Sequence, residues 1–340
     1  MRSIAVLVVG ALVAGAAACG GKPPEFSGSD ASSMKVGLAY DIGGRGDQSF
    51  NDAAASGLDD AKRNLGLRTV KELEATPGET DAQKSERLRV LAEAGYSPII
   101  AVGYAYSEPM KRVAPDFPAT RFAIVDDTMA RGPNISNLLF AEEQGSFLVG
   151  AAAALKSRTG HVGFVGGVQS PLVKKFEIGF TQGVKYIKPE DTVDVKYVAQ
   201  PPDLTGFDDP AKGRLAAQGM YDAGADVVYQ AAGGSGAGVF EAAYQQHAWA
   251  IGVDSDQAKT AAPEVRGNIL TSMLKKVDVA VYDYIASILD GTVKSGPTVY
   301  DLRLGGVDYS TTGGHIRDIQ PRLEELKQEI IVGKIKVRAA

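Results

Sequence analysis

The sequence has one cysteine and three histidines in 340 residues. A lone cysteine excludes a disulfide framework and any zinc site built on thiolates. His161, His247 and His315 lie far apart without H-E-x-x-H or similar spacing, so they read as structural histidines rather than metal ligands. There is no G-x-S-x-G nucleophile motif. The first glycine cluster and residues 233–238 both lack G-x-G-x-x-G, and no G-x-x-x-x-G-K-[ST] occurs anywhere. Dinucleotide-binding and P-loop enzymes are disfavoured accordingly. No basic stripe offsets a formal net charge of −5, which argues against a nucleic-acid partner. Beyond the first eighteen residues, no apolar run is long enough to cross a bilayer, which takes ~20 residues.

The chain does have a distinctive beginning. Arg2 is the only charge before Cys19, and Ile4 to Ala18 is apolar or small throughout. A charged start, a short apolar core and small residues before a cut describe a secretory signal over 1–18. Ala16-Ala17-Ala18-Cys19-Gly20 resembles a bacterial lipobox, in which the cysteine is acylated and becomes the new N-terminus. Ala16 departs from the leucine more often found there, and an ordinary signal peptidase could also cut after Ala-x-Ala. GGKPPEFSGSDASS follows the cysteine. It is rich in Gly, Pro and Ser and carries too little apolar surface to offset the entropy of ordering. The expectation is an acyl anchor on Cys19 and a flexible tether over 19–33, holding a soluble body at the outer face of a membrane.

That body, with 44% apolar and 23% charged residues in the whole chain, is globular in composition and long enough for two domains. Short apolar runs such as KVGLAY (35–40), SPIIAVG (97–103), TRFAIVD (120–126), GHVGFVGG (160–167), ADVVYQA (225–231), AWAIGVD (248–254) and GNILTSM (267–273) read as buried strands. Between them lie helical stretches such as 50–66, 80–95, 142–157, 173–187, 213–224 and 275–291. Strand–helix alternation of this kind means right-handed βαβ units and parallel sheets covered on both faces. AEAG, YDAG and ILDG each close a helix on glycine, and Ser49, Thr80 and Asp278 are candidate N-cap or first-turn residues. The pattern restarts: strand, glycine-rich turn, aromatic and long helix near residue 40 are echoed after 160. Two similar α/β lobes are expected, joined near 127–134.

Ligands of open parallel sheets bind beyond the carboxyl ends of the strands. The first strand is followed by DIGGRGDQSFND, which brings Asp47, Ser49, Phe50 and Asn51 to a helix mouth. ADVVYQA is followed by AGGSGAGVF, AWAIGV by DSDQ, and TRFAIV by DDT. Aromatics, carboxylates and glycines thus gather at one end of both lobes. Rings there suit a flat ligand, since a base stacked on an aromatic side chain gains ~1–3 kcal/mol. Carboxylates suit ribose hydroxyls.

Five stretches carry a resemblance: DQSFNDAAASG, PLVKKFEIGFTQGV, AAGGSGAGVFEAA, WAIGVDSDQ and TSMLKKVDVAVYD. In this order, from about Val36 to about Asp301, they resemble the basic membrane protein family, the substrate-binding lipoproteins of ABC importers, often for purine nucleosides. The chain's acidity departs from the family's label. The resemblance implies a type I periplasmic-binding-protein fold of two doubly wound parallel-sheet lobes with an interlobe ligand cleft. It implies no enzyme activity and no cofactor or metal. It assigns ligand hydrogen bonds to Asp47 and Asn51, stacking to Phe50, ribose hydroxyls to Asp254, an assisting lysine at Lys276 in preference to Lys275, close backbone approach to Gly233 and Gly234, and a base contact to Asp126. The second stacking ring is Phe176, Phe207 or Tyr229, with Phe207 favoured. The chain is expected to cross between lobes near 128, 256 and 292. The lobes would then comprise 34–128 with 256–292, and 129–255 with 293–340. The implied partners are a purine nucleoside and an ABC permease with its ATPase, and the implied state is a monomer. A sugar or autoinducer receptor, a sensor docking on a membrane kinase and a nucleoside hydrolase are the alternatives.

Overall fold

The computed structural model describes residues 30–339; the signal, most of the tether and Cys19 lie outside the described residues. The chain first lays down β1 (Lys35–Ala39), α1 (Phe50–Leu65), β2 (Thr69–Leu73), α2 (Asp81–Glu93), β3 (Ile99–Ala101), α3 (Ser107–Val113), β4 (Phe122–Val125) and β5 (Ile135–Phe140). It continues through α4 (Glu142–Lys156), β6 (His161–Val168), α5 (Pro171–Ile187), β7 (Thr192–Ala199), α6 (Pro210–Asp222), β8 (Val227–Ala231), α7 (Gly236–Gln245), β9 (Trp249–Asp254), α8 (Gln257–Thr260) and β10 (Ile269–Lys275). α9 (Val277–Leu289), β11 (Gly296–Tyr300), β12 (Val307–Tyr309) and α10 (Gln320–Ile331) complete it.

Two six-stranded sheets result, in the orders β11-β5-β4-β3-β1-β2 and β12-β10-β9-β8-β6-β7. Every pairing is parallel except β12 with β10. Central strands such as β4 and β8 are buried at every residue, as sheets covered on both faces require. Each sheet with its helices is one lobe, and this is the two-lobed α/β architecture expected.

The crossing points differ from the sequence reading. β5 belongs to the first sheet, so the first crossing follows Phe140, not residue 128. β10 belongs to the second sheet, so the return comes after Lys275, not near 256. β11 belongs to the first sheet, so the last crossing follows Tyr300, not 292. β5 escaped notice because Ser136 and Asn137 interrupt its apolar run. Both are buried: the Ser136 hydroxyl donates to Lys294 O, and the Asn137 amide donates to Asp127 O and Ala130 O. β11 begins Gly-Pro, which reads as a turn, and at the sheet edge its proline need not donate to a ladder.

The helices after the crossing strands change sides. α4 packs on α5 in the second lobe, and α9 packs on α1 in the first. Glycines set the closeness. A Cβ at Gly183 would lie 2.0 Å from Phe147 O, and one at Gly57 would lie 2.3 Å from Asp278 O. Thr80 forms a full capping box with Gln83. Ser49 occupies the N-cap position of α1 without capping it, and Asp278 sits in the first turn of α9. Gly95, Gly224 and Gly291 all have positive φ just after helices, as C-terminal glycines should.

Candidate functional site

The carboxyl ends of both sheets face one cleft, which with the open solvent at its mouth holds about 610 Å³ free of protein atoms. Its wall takes Asp41, Asp47, Phe50, Asn51, Tyr104 and Asp126 from the first lobe, and Phe176, Phe207, Gly233, Asp254 and Lys275 from the second. Phe50 and Asp254 therefore share one hollow between two half-molecules. The Ser49 hydroxyl donates to Asp254 Oδ2 at 2.7 Å, directly across the lobe boundary.

Asp126 and Asp254 hold equivalent places, one just past β4 and the other closing β9. Both adopt left-handed backbone, with φ of 63° and 62°. A non-glycine residue there stores strain, and the bend turns each carboxylate into the cleft. Lys275, the last residue of β10 and only 2% exposed, lies between them in charge. Its ammonium pairs with Asp126 and stands 3.1 Å from Glu142 Oε1. It also sits 5.0–5.4 Å from the ring centres of Phe140, Phe50 and Phe176, within range of cation–π attraction. Burial pushes the Asp254 carboxyl up, and Lys275 only partly offsets this. Asp126 rises too, chiefly through burial, with Glu142 adding to it against the pull of Lys275. Burial works against the Lys275 cation, but Asp126, Glu142 and Asp254 outweigh it and hold the ammonium charged above the ordinary lysine range. One oxygen of Asp126, Oδ1, is buried with no hydrogen-bond partner among the described residues.

The loop after β1 is braced from within. Asp47 accepts from the backbone N–H groups of Ser49, Asn51 and Asp52 and from the Asn51 side-chain amide. Asn51 also donates to Ile42 O and accepts from Asp41 N–H. Both residues line the cleft, yet their hydrogen bonds hold the loop that presents Phe50. Burial pushes Asp47 and Asp41 up to about 6.

Several expectations need correction. Lys276 does not line the cleft: it is the N-cap residue of α9, partly exposed, with Asp278 as its nearest acidic partner, and Lys275 points inward instead. Tyr229 is fully buried among Phe164 and Phe180 with its hydroxyl 3.2 Å from Ser146 Oγ, so it is a core residue. Phe176 and Phe207 both reach the cleft, Phe176 nearly buried and Phe207 half-buried against Gly167. Gly233 lines the cleft at φ 55°, where a Cβ would meet Phe207 O at 3.0 Å; Gly234 lies one step outside the lining. Asp41, Tyr104 and Glu142 were missed. Asp41 directly follows the apolar run KVGLAY, and that position was the available signal. The histidines lie elsewhere: His161 Nε2 is 2.9 Å from Asp194, and His315 packs on Trp249. No cluster of metal-ligating side chains occurs among the described residues.

Residues 34–340 match the family model for PnrA-like ABC transporter substrate-binding proteins, Bmp. The CD4+ T-cell-stimulating antigen of Listeria innocua is 34% identical over 98% of this chain and 97% of its own. The ABC transporter nucleoside-binding protein BmpA of Lactococcus lactis is 31% identical over 92% and 91%. A lipoprotein of Pyrococcus horikoshii is 34% identical over 90% of this chain and 76% of its own. The crystal structure of an ABC transporter solute-binding protein from Aeropyrum pernix superposes with a TM-score of 0.79 at 30% identity, covering 90% of this chain and 94% of that one. The chain therefore belongs to the Bmp family of PnrA-like ABC transporter substrate-binding proteins.

Proposed function

We propose that the protein is a lipid-anchored extracytoplasmic receptor that binds a purine nucleoside between its lobes and delivers it to an ABC permease. One observation carries the ligand class. Phe50 from one lobe and Phe207 from the other line the same cleft as a buried carboxylate, Asp254, already oriented by Ser49. Rings of both lobes grip a planar base, with Phe207 the freer of the two second-lobe rings. Asp254 takes the ribose hydroxyls through charge-assisted hydrogen bonds, with Lys275 favouring its charged form against the effect of burial. The unpartnered Asp126 Oδ1 receives a base N–H. Charge selects a neutral ligand: the cleft lining has Asp41, Asp47, Asp126 and Asp254 against the single cation Lys275, so a phosphate would be repelled. The Lactococcus relative's name supports the nucleoside reading.

The anchor is Cys19, acylated after cleavage of 1–18. No helix among the described residues is long and apolar enough to cross a membrane, and the Pyrococcus relative is named a lipoprotein. Thermal-shift screening with adenosine, guanosine, inosine, ribose and AMP tests the ligand. A compound that binds only the folded state stabilises by mass action, by ~2.7 kcal/mol at a hundred times its Kd. The nucleosides should raise the melting temperature while ribose and AMP do not; stabilisation by ribose alone overturns the assignment. Labelling with radioactive palmitate, lost in Cys19→Ser, tests the anchor.

A further inference from the structure

The turn after β9 touches the first lobe at more points than a ligand requires. Asp254 accepts from Ser49, the Ser255 hydroxyl donates to Ser49 O at 3.1 Å, and the Gln257 amide donates to Gln48 O at 3.1 Å. Residues 48 and 49 belong to the loop that presents Phe50.

Gln257 is 2% exposed and does not act alone. Its Oε1 accepts from Val253 N–H and from the side-chain amide of Gln230, each at 2.8 Å. Gln230, fully buried, accepts in turn from Ala232 N–H at 2.9 Å. Two glycines make room for these amides. A Cβ at Gly236 would lie 2.4 Å from Gln230 Cδ, and one at Gly252 would lie 2.7 Å from Gln257 Oε1. A continuous line of hydrogen bonds thus runs from Ala232, beside Gly233 in the cleft wall, through Gln230 and Gln257 to Gln48 in the other lobe.

We propose that Gln257 is a positioning residue that ties the loop after β8 to the loop before α1, and so holds a closed population of the lobes before any ligand arrives. The physical reason is an asymmetry in its amide. The oxygen is satisfied within the second lobe alone, but the Gln48 carbonyl that takes the amide hydrogen belongs to the first. Parting the lobes breaks this bond and hands the amide hydrogen to water, which disfavours the open form by the net worth of one hydrogen bond. Such differential satisfaction is what shifts a two-state equilibrium. The inference rests on the receptor fold and not on the identity of the ligand.

The test uses the full chain carrying Cys19→Ser, spin-labelled at Thr76→Cys and Gln200→Cys. Both sites are exposed and lie in the loops that flank the cleft mouth. Distances are measured by pulsed electron paramagnetic resonance without ligand. The wild-type background should show a short-distance population. Gln257→Met, which keeps the bulk and loses the donor, should lower its ratio to the long one about fivefold. Gln257→Glu should do the same at pH 8, where a carboxylate would face the Gln48 carbonyl. At pH 5 a protonated carboxyl donates to Gln48 O and still accepts from Val253 and Gln230, so closure should return. The background measured at both pH values accounts for Asp47, Asp52, Asp254, Asp256 and Lys259 around the turn. Ser255→Ala should give a smaller shift. Absence of a short-distance population in the background, unchanged distances in Gln257→Met, or no recovery of Gln257→Glu at pH 5 overturns the proposal. Urea unfolding of each variant shows whether it is folded; a stability loss without a distance change also overturns it.

Discussion

The two lobes are built to one plan and finished differently. Each sheet carries an aspartate at positive φ at the carboxyl end of its fourth strand, Asp126 just past β4 and Asp254 closing β9. The fifth strands end in unlike residues, Phe140 and Lys275, which meet with ring centre and ammonium 5.0 Å apart. As a result the two aspartates live in different company. Asp126 is tied to a full cation, while Asp254 holds only a hydroxyl from Ser49. A repeated backbone supplies two carboxylates; the Phe/Lys difference at the crossing strands pairs one of them with an ammonium and leaves the other with a neutral hydroxyl. The edge strands differ as well, β11 being parallel and β12 antiparallel, so the likeness stops where the chain threads between lobes.

The largest effect should come from Lys275→Ala. It leaves Asp126 and Asp254 buried without their cation, while Glu142 keeps Lys175 at 3.0 Å, and breaking a buried pair costs about 3–5 kcal/mol. Urea unfolding measures this, and a loss under about 1 kcal/mol would show that water reaches the cluster. Asp254→Ala against Asp126→Ala tests the division of labour between the lobes. The first should weaken binding of a stabilising nucleoside about a hundredfold in calorimetry, the scale of one or two charge-assisted hydrogen bonds, with little change in unfolding. The second should lower stability more than the first does. Equal effects of the two on stability and binding would mean that the two carboxylates do the same work. Phe50→Ala and Phe207→Ala come next, each costing about 1–3 kcal/mol of nucleoside affinity. A loss in Phe176→Ala larger than in Phe207→Ala would move the stacking role to Phe176. Lys276→Ala should do least, within about 0.5 kcal/mol of wild-type stability and with affinity unchanged.

Much of the architecture was readable because its signals are local. Alternating apolar runs and amphipathic helices mark βαβ units, and polar groups, aromatics and glycines after strand ends mark the cleft wall. Asp126, Phe50, Gly233 and Asp254 were found that way. The lysine was chosen wrongly because strand and helix meet at that point. β10 runs two residues past the apolar stretch GNILTSM, so Lys275 continues the face of Thr271 and Met273, while Lys276 already caps the next helix. Tyr229 carries the composition of a site residue, but its place within β8 sends it into the core with Phe164 and Phe180.

The sequence by itself determined the two α/β lobes and the loops that form the cleft, because periodicity and strand-end position are properties of neighbours along the chain; the family was legible only through the resemblance of its five motif stretches. Only the tertiary structure decided where the chain crosses, which lysine is buried, and how Gln257 and Ser49 reach the opposite lobe. Those depend on which sheet a strand joins and on contacts between residues some two hundred positions apart, and pairings at that separation leave no trace in local pattern.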